Sequence, residues 1–276
     1  MIPVRDGEQT LPTLLDALDG QTLARDRFEV IVVDNGSRDG SGALARERGA
    51  RVVDEPRPNR ARARNRGVDV ATGAVIAFTD ADCVPAPEWL TALSACLAGS
   101  PIAAGAVELV TRGRPTRWEQ LEGLWRFRQE AAVAQGWAAT ANLGVRRDAF
   151  LAVAGFDPAY RHIGEDVDFC LRLGAAGFAL SWCPHAVVRH HAEETARAVL
   201  RRGVIHGYSS NQHARRWHDD FGWRHWRHPR PAVSGDWALR RFGDGAAAHR
   251  ELLGVARAEY AARVIGSAWA ELRRVC

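Results

Sequence analysis

The apolar and polar positions in the first hundred residues follow two alternating periods. "LPTLLDALDGQ" spaces Leu11, Leu14, Leu15 and Leu18 along one helical face and stops at Gly20, which predicts a short amphipathic helix. "FEVIVVD" is a β-branched run that closes on Asp34, the pattern of a strand. "MIPV" is a strand stub before it, "ARVVD" a third short strand and "AVIAFT" a fourth. Between them, "NGSRDGSG" is turn chemistry, with Ser41 placed to cap the short helix "GALARERG". "ARARNRGVDVATG" predicts a helix with Ala61, Asn65, Val68 and Ala71 inward and Gly73 as its stop. Strand and helix alternating at this spacing predict an α/β fold: a mostly parallel, Rossmann-like central sheet flanked by helices, with right-handed crossovers. Ligands of such sheets sit beyond the carboxyl ends of the strands. Asp34 and Asp80 each close an apolar strand at that edge.

The later pattern is less regular. "PAPEWLTALSACL" predicts a helix opened by proline, "IAAGAVELV" a strand, and "RWEQLEGLWRFRQEAAVAQ" one amphipathic helix. "AATANLGVRR" reads as extended, with a helix from Asp148. "GEDVDFCLRLGAAG" predicts a helix with Val167, Cys170, Leu171 and Leu173 apolar, ending near Gly174 or Gly177, and "FALSWCPHAVVRHH" two short strands. From Glu193 the chain reads as helices broken at "FGWRHWRHPRPAVSGDW". No internal repeat or low-complexity linker is visible.

Composition narrows this picture a little. A chain of 276 residues suits one large domain or a domain with appendages. Its 46% hydrophobic and 25% charged content excludes a disordered chain. The basic residues are all arginine and the net charge is +4, which fits an anionic ligand without demanding nucleic acid. The cysteines, Cys83, Cys96, Cys170, Cys183 and Cys276, are odd in number and lack a C-x-x-C. They predict neither a disulfide framework nor a zinc knuckle, with a reducing cytoplasm as the simplest setting. No signal peptide opens the chain and no apolar run approaches membrane-spanning length. A cytoplasmic protein is expected, with a peripheral contact at the inner face of a membrane left open.

The candidate chemistry begins at "FTDADC", where Asp80 and Asp82 stand one residue apart after an apolar strand. Such a pair converges on one divalent cation when the chain turns just after its first member, and hard oxygen ligands suit Mg²⁺ or Mn²⁺. A metal there bridges a diphosphate and stabilises the charge on a departing nucleotide. Two surface acids in a turn give the same short pattern. Here, however, it falls in an ordered set: "VIVVDNGSRDGS", then "RARARNRGVDVATGAVIAFTDADCVPAPEWL", then "GFDPAY" and "GEDVDFCLRL".

That ordered set resembles the family 2 glycosyltransferases of the GT-A fold, from about Ile2 to about Gly207. The resemblance implies a GT-A domain over residues 1–207, with a nucleotide-binding half at 1–100 and an acceptor-binding half at 101–207, and a helical C-terminal extension at 208–276. It also implies inverting transfer of a sugar from a nucleotide-diphosphate sugar to an acceptor hydroxyl, with Mg²⁺ or Mn²⁺. Pro3, Val4 and Arg5 of "IPVRD" match the first-strand segment that lines the base. The family's first strand usually begins several residues earlier, so this strand is very short or the start lies upstream. Asp34 and Asp39 match positions around the uracil, which makes a UDP-sugar the first expectation, ahead of GDP- and dTDP-sugars. Arg64 matches a basic position near the base and diphosphate; a solvated helix face competes with that reading, more strongly at Arg60 and Arg62.

Asp80 resembles the ribose-side acid and Asp82 the direct metal ligand, with Ala81 small enough for a ligand to approach. Asp166 matches the catalytic base that takes the proton of the acceptor hydroxyl. Glu165 would hold the acceptor or orient Asp166; both acids also suit a helix N-terminus. Asp168 faces elsewhere by helical spacing. In "VVRHH" a histidine can be a third metal ligand or a diphosphate contact. His190 and His191 point to opposite sides in extended chain, and His190 is preferred. Asn142 and Trp137 are acceptor-side candidates, Trp137 as a stacking surface or as core. Arg201, Arg202, His206 and Tyr208 could close over the diphosphate. The 216–231 stretch reads as an acceptor lid, a patch for a lipid-linked acceptor, a nucleic-acid surface, or a loop with packed tryptophans. The acceptor itself is a glycan, a lipid-linked sugar, a peptide or a small molecule. The rival class is a non-catalytic module binding a nucleotide-sugar or glycan. Nucleic-acid binding is not expected, because no reader motif accompanies the modest charge.

Overall fold

A computed structural model describes residues 1–111, 113–125, 128–192, 195–217 and 246–272. Its elements are β1 (Ile2–Val4), α1 (Leu11–Asp19), β2 (Ile31–Asp34), α2 (Ser41–Glu47), β3 (Arg51–Asp54), α3 (Arg60–Val70), β4 (Val75–Phe78), β5 (Cys83–Pro85), α4 (Trp89–Gly99) and β6 (Ile102–Val110). They continue with α5 (Arg117–Trp125), α6 (Gln129–Val133), β7 (Leu143–Arg146), α7 (Arg147–Ala152), α8 (Glu165–Ala175), β8 (Leu180–His191), α9 (Ala196–Arg216) and α10 (Ala246–Leu272).

The first half follows its hydrophobic pattern. α1 buries Leu11, Leu14, Leu15 and Leu18 and ends at Gly20. β1, β2 and β3 pair in parallel, with Val4, Asp34 and Asp54 in register. The Met1 amine donates to the Ala77 carbonyl (2.8 Å) and the Thr79 N–H to the Met1 carbonyl (3.4 Å), so β4 lies alongside β1 in the parallel sense.

The α/β fold class holds, but beyond β4 the strands are mixed in direction. The second sheet has the order β4-β7-β6-β8-β5. Only its β6–β8 pair is parallel; β4–β7, β6–β7 and β5–β8 are antiparallel. The partners are distant in sequence: β4 and β5, joined by a short turn, lie at opposite edges of this sheet, and each pairs with a later strand, β7 or β8, whose direction the alternation before β4 does not set.

The two short strands expected in "FALSWCPHAVVRHH" form one strand, β8, whose register slips: Gly105 pairs with Cys183 but Ala106 with Val187. Fully buried Asn142 holds the resulting bulge. Its Nδ2 donates to the carbonyls of Ala106 (2.8 Å) and Ala186 (2.7 Å), and its Oδ1 accepts from the Trp89 indole (2.8 Å). A Cβ at Gly105 would collide with the Ala186 carbonyl and the Asn142 amide, so glycine is required there for close approach.

Smaller corrections follow from local bonding. Gly40, not Ser41, occupies the N-cap of α2, and the Ser41 hydroxyl accepts from the Gly7 N–H (2.9 Å). α3 stops at Val70, short of Gly73, and Asn65 uses its amide to bond the backbone of Phe156. The single helix expected over 117–135 is two, α5 and α6. Cys96 and Cys183 form a disulfide between α4 and β8, contrary to the cysteine reading; they meet only because α4 packs across that strand. Cys83 and Cys170 are free and buried, and Cys276 lies outside the described residues.

The described chain forms two compact units. One comprises Met1–Val110, Phe127–Arg161 and Glu165–His191; the other comprises Thr111–Arg126, His162–Gly164 and Ala192–Cys276. A boundary at 207/208 would cut α9 in its middle. The first unit holds both sheets and an aromatic cluster in which Phe156 meets Phe169 (centroids 4.4 Å) and Phe78 (5.3 Å). In the second, α9 and α10 approach closely at Gly207 and Gly266. There the Ser267 hydroxyl donates to the Gly207 carbonyl (2.9 Å), and Tyr208 packs on Trp269. Arg202 is half-buried on α9, where burial pushes its guanidinium down to about 10 despite Glu259. Most of the 216–231 stretch, from residue 218 on, lies outside the described residues.

Two outcomes check this description. Replacing Asn142 by alanine should cost about 2–4 kcal/mol, since the Trp89 indole and two buried carbonyls lose their partner. A urea midpoint unchanged from the native protein would contradict it. Alkylation of the denatured protein without reductant should leave Cys96 and Cys183 unmodified, and labelling of both would contradict the bond.

Candidate active site

The turn after β4 is closed by the Cys83 N–H donating to the Asp80 carbonyl (3.1 Å). β5 then starts at Cys83, directly opposite His190 on β8. That register puts Asp82 Oδ2 3.3 Å from His190 Nε2. His190 is buried, and its Nδ1 lies 2.7 Å from the His191 carbonyl. A carbonyl only accepts, so Nδ1 carries the proton and a neutral ring turns its Nε2 lone pair toward the carboxylate. Two acceptors then face each other across 3.3 Å, and a proton or a cation reconciles them. A carboxylate oxygen and an imidazole nitrogen held in this way fit a divalent metal, with the His191 carbonyl orienting the ring as an outer partner does. Cys83 Sγ is the third group within 4.8 Å. Burial, reinforced by the charges of Asp80 and Asp82, pushes its thiol well above the usual range.

Asp80 turns the other way. Its Oδ1 pairs with Arg64 Nη2 (3.0 Å), while Arg64 Nη1 pairs with Glu165 Oε1 (2.5 Å). Arg64 is 2% exposed. It lies on the inward row of α3 with Ala61 and Val68, above the Phe156 ring (5.7 Å). Burial alone would lower its pKa, but Glu165, Asp80 and Asp166 outweigh burial and raise it. The position expected near the base and diphosphate is therefore an internal cation beneath the acids.

Glu165 and Asp166 open α8. Glu165 is buried, and among the described residues its Oε2 has no hydrogen-bond partner. Asp166 stays partly open to solvent. Its Oδ1 accepts from the Val167 N–H (2.9 Å) and its Oδ2 from the Thr140 N–H (3.4 Å). Burial raises its pKa to about 6 with help from Glu165, while Arg64 and the two backbone donors oppose the rise. Asp168 turns into the core, bonded by Arg172 (2.8 Å) and the Tyr160 hydroxyl (3.3 Å).

The remaining candidates are spread along the same sheet edge. Pro3 and Val4 lie in β1 and Arg5 is exposed just beyond it. Asp34 ends β2, with Oδ1 accepting from the Ser37 N–H (2.8 Å). Asp39 has both oxygens engaged, Oδ2 by the Glu8 N–H (3.0 Å) and Oδ1 by the N–H and hydroxyl of Ser41. The Ser41 hydroxyl outweighs burial and holds that carboxyl low. Asp39 thus staples the loops after β1 and β2. So does Asp6, whose φ of +55° lets Oδ1 accept from the Arg38 N–H (2.7 Å). Ala81 packs half-buried beside the core. On the acceptor side, Asn142 has every amide group committed to the β8 bulge, and Trp137 packs half-buried on the aromatic cluster. Asn142 is therefore structural. A cavity of about 160 Å³, lined by Met1, Leu18, Phe28 and Leu90 among others, contains none of the candidate acids.

The sequence reading missed Cys83, Thr140, Asp6 and the interior place of Arg64. Thr140 acts through its backbone and leaves no trace in side-chain pattern. Arg64 was legible, since Ala61, Arg64 and Val68 share the spacing of one helical face.

Comparison with known proteins accords with this geometry. Residues 1–144 match the family described as Glycosyl transferase family 2, and residues 75–250 match Glycosyl transferase family group 2. The glycosyltransferase AglE of Haloferax volcanii is 28% identical over 211 residues, covering 73% of this chain and 69% of that protein. The pre-mycofactocin glycosyltransferase of Mycobacterium tuberculosis is 32% identical over 223 residues, 76% of this chain but only 46% of that protein. Among solved structures, the mannosyltransferase PcManGT from Pyrobaculum calidifontis, in complex with GDP-Man and Mn²⁺, superposes with a TM-score of 0.68 at 19% identity, covering 97% of this chain and 86% of that one. S. aureus TarS 1-349 in complex with UDP-GlcNAc gives a TM-score of 0.57 at 16% identity, with 98% and 90% covered. The chain belongs to glycosyl transferase family 2: it is a glycosyl-transferring enzyme with a GT-A fold. Among the described residues, no helix is long and apolar enough to cross a membrane.

Proposed function

We propose that the enzyme moves a sugar from a nucleotide-diphosphate sugar, a UDP-sugar first, to an acceptor hydroxyl with inversion, Asp166 serving as general base. One observation carries this reading. A single buried cation, Arg64, grips Asp80 on the donor side and Glu165 beside the base, so both acidic pairs belong to one cluster.

A neutral hydroxyl is a weak nucleophile. Asp166 accepts its proton as the new bond forms at the anomeric carbon. The bond to the diphosphate oxygen breaks on the opposite face, and its electron pair leaves with the nucleotide. Such a displacement inverts the carbon. A Mg²⁺ or Mn²⁺ ion held by Asp82 and His190 would supply positive charge to the leaving diphosphate. Asp80, fixed from beneath by Arg64, takes the ribose side, and Asp34 the base side.

The donor class is tested by thermal shift with UDP, GDP and dTDP, each with and without Mn²⁺. Stabilisation by UDP that needs the metal, lost in Asp82→Asn and kept in Asp166→Asn, is expected; metal-independent stabilisation counts against the site. Release of nucleotide from a panel of UDP-sugars should fall about a hundredfold or more in Asp166→Asn. Because the base works only when deprotonated, the wild-type rate should climb as pH rises through about 6 and level off above it. A flat profile across that range would sink Asp166 as the base.

A further inference from the structure

We infer that Arg64 is a positioning residue: one buried guanidinium fixes the carboxylate of Asp80 and that of Glu165 together, so the donor and base halves of the site hold each other in place. The inference rests on the proposed assignment of residues 80–82 and 165–166 to those halves.

Three features carry it. First, Arg64 is not free to reach a ligand. It is 2% exposed, and its two terminal nitrogens are committed to acids on different elements, the turn after β4 and the start of α8. Second, among the described residues Glu165 has no second hydrogen-bond partner: Oε1 is bonded by Arg64 and Oε2 by none of them. A buried carboxylate held by one cation is set by that cation, and Glu165 is followed directly by Asp166. Third, the planar fork of arginine spans two carboxylates at once, which the single ammonium of lysine does not. Asn59 supports the arrangement by capping α3 through the Arg62 N–H (2.9 Å) and by donating to the Pro158 carbonyl (2.9 Å).

The groups facing Asp166 are Glu165 and Arg64, the Val167 and Thr140 amides, and Cys170 one turn along α8, whose thiol burial pushes up to about 12. Removing Arg64 alone would strand Glu165 as an unanswered buried charge and threaten the fold. The test therefore uses Glu165→Gln, Arg64→Lys and the charge-neutral double variant Arg64→Met/Glu165→Gln. Carboxyl-¹³C NMR of aspartate-labelled protein follows the Asp166 titration, with the Asp166→Asn spectrum as its assignment. Calorimetry follows binding of UDP, and separately of GDP, with Mn²⁺.

Glu165→Gln should lower the Asp166 midpoint, because a like charge is gone, and it sets the reference for nucleotide binding with the amide oxygen still able to accept from Arg64. The double variant should raise that midpoint by about one unit relative to Glu165→Gln, and weaken Mn²⁺-dependent nucleotide binding about tenfold. Arg64→Lys should weaken binding similarly while keeping the midpoint near wild type. A double variant matching Glu165→Gln in both measurements would overturn the inference. If neither nucleotide binds wild-type protein, the carboxyl titration, which uses no ligand, decides alone. Neither measurement requires turnover. Coupling without any sugar transfer would thus refute the proposed reaction and spare the inference. A lost reaction in Asp166→Asn with no coupling at Arg64 would do the reverse.

Discussion

A guanidinium taken out of water must have its charge answered, and at Arg64 it is answered twice. Asp80 closes the edge of β4 and Glu165 opens α8, and both lean on the same fork. Removing one partner from a buried pair costs about 3–5 kcal/mol, because the survivor stays charged without water. The helix that carries Arg64, the turn that carries Asp80 and the helix that carries Glu165 are therefore constrained together. Asp166 inherits its place from this constraint. It sits among these charges yet is still touched by solvent, and burial raises its pKa to about 6.

The other half of the site depends on strand register. His190 faces Asp82 because β5 pairs antiparallel with β8 at Cys83. β8 reaches that register only by absorbing a bulge after Cys183. Asn142 holds the bulge by hydrogen bonds, Gly105 leaves room for it, and the Cys96–Cys183 bond anchors the strand just before it. Residues remote from any ligand thus decide whether a carboxylate and an imidazole meet. This is also why Asn142, expected on the acceptor side, is better understood as part of the sheet.

Much of this was legible in the chain. The leucine spacing of α1, the β-branched run of β2 and the acids at the ends of β2 and β4 follow directly from side-chain period and turn chemistry. What was not legible depends on contacts between distant segments. The antiparallel pairs of the second sheet join segments far apart in the chain, β4 with β7 and β5 with β8, whereas the alternation before them suggested another crossover. The disulfide joins residues 87 apart that only packing brings together. Asp39 was expected beside the base, and that its oxygens also tie the Glu8 and Ser41 N–H groups is set by loop conformation.

A crystal structure of the enzyme with Mn²⁺ and UDP tests the central claim most directly. Mn²⁺ should be coordinated by both Asp82 and His190, with Arg64 still buried and still joining Asp80 to Glu165. An Arg64 side chain swung out onto the diphosphate, with Glu165 left to other partners, would contradict it.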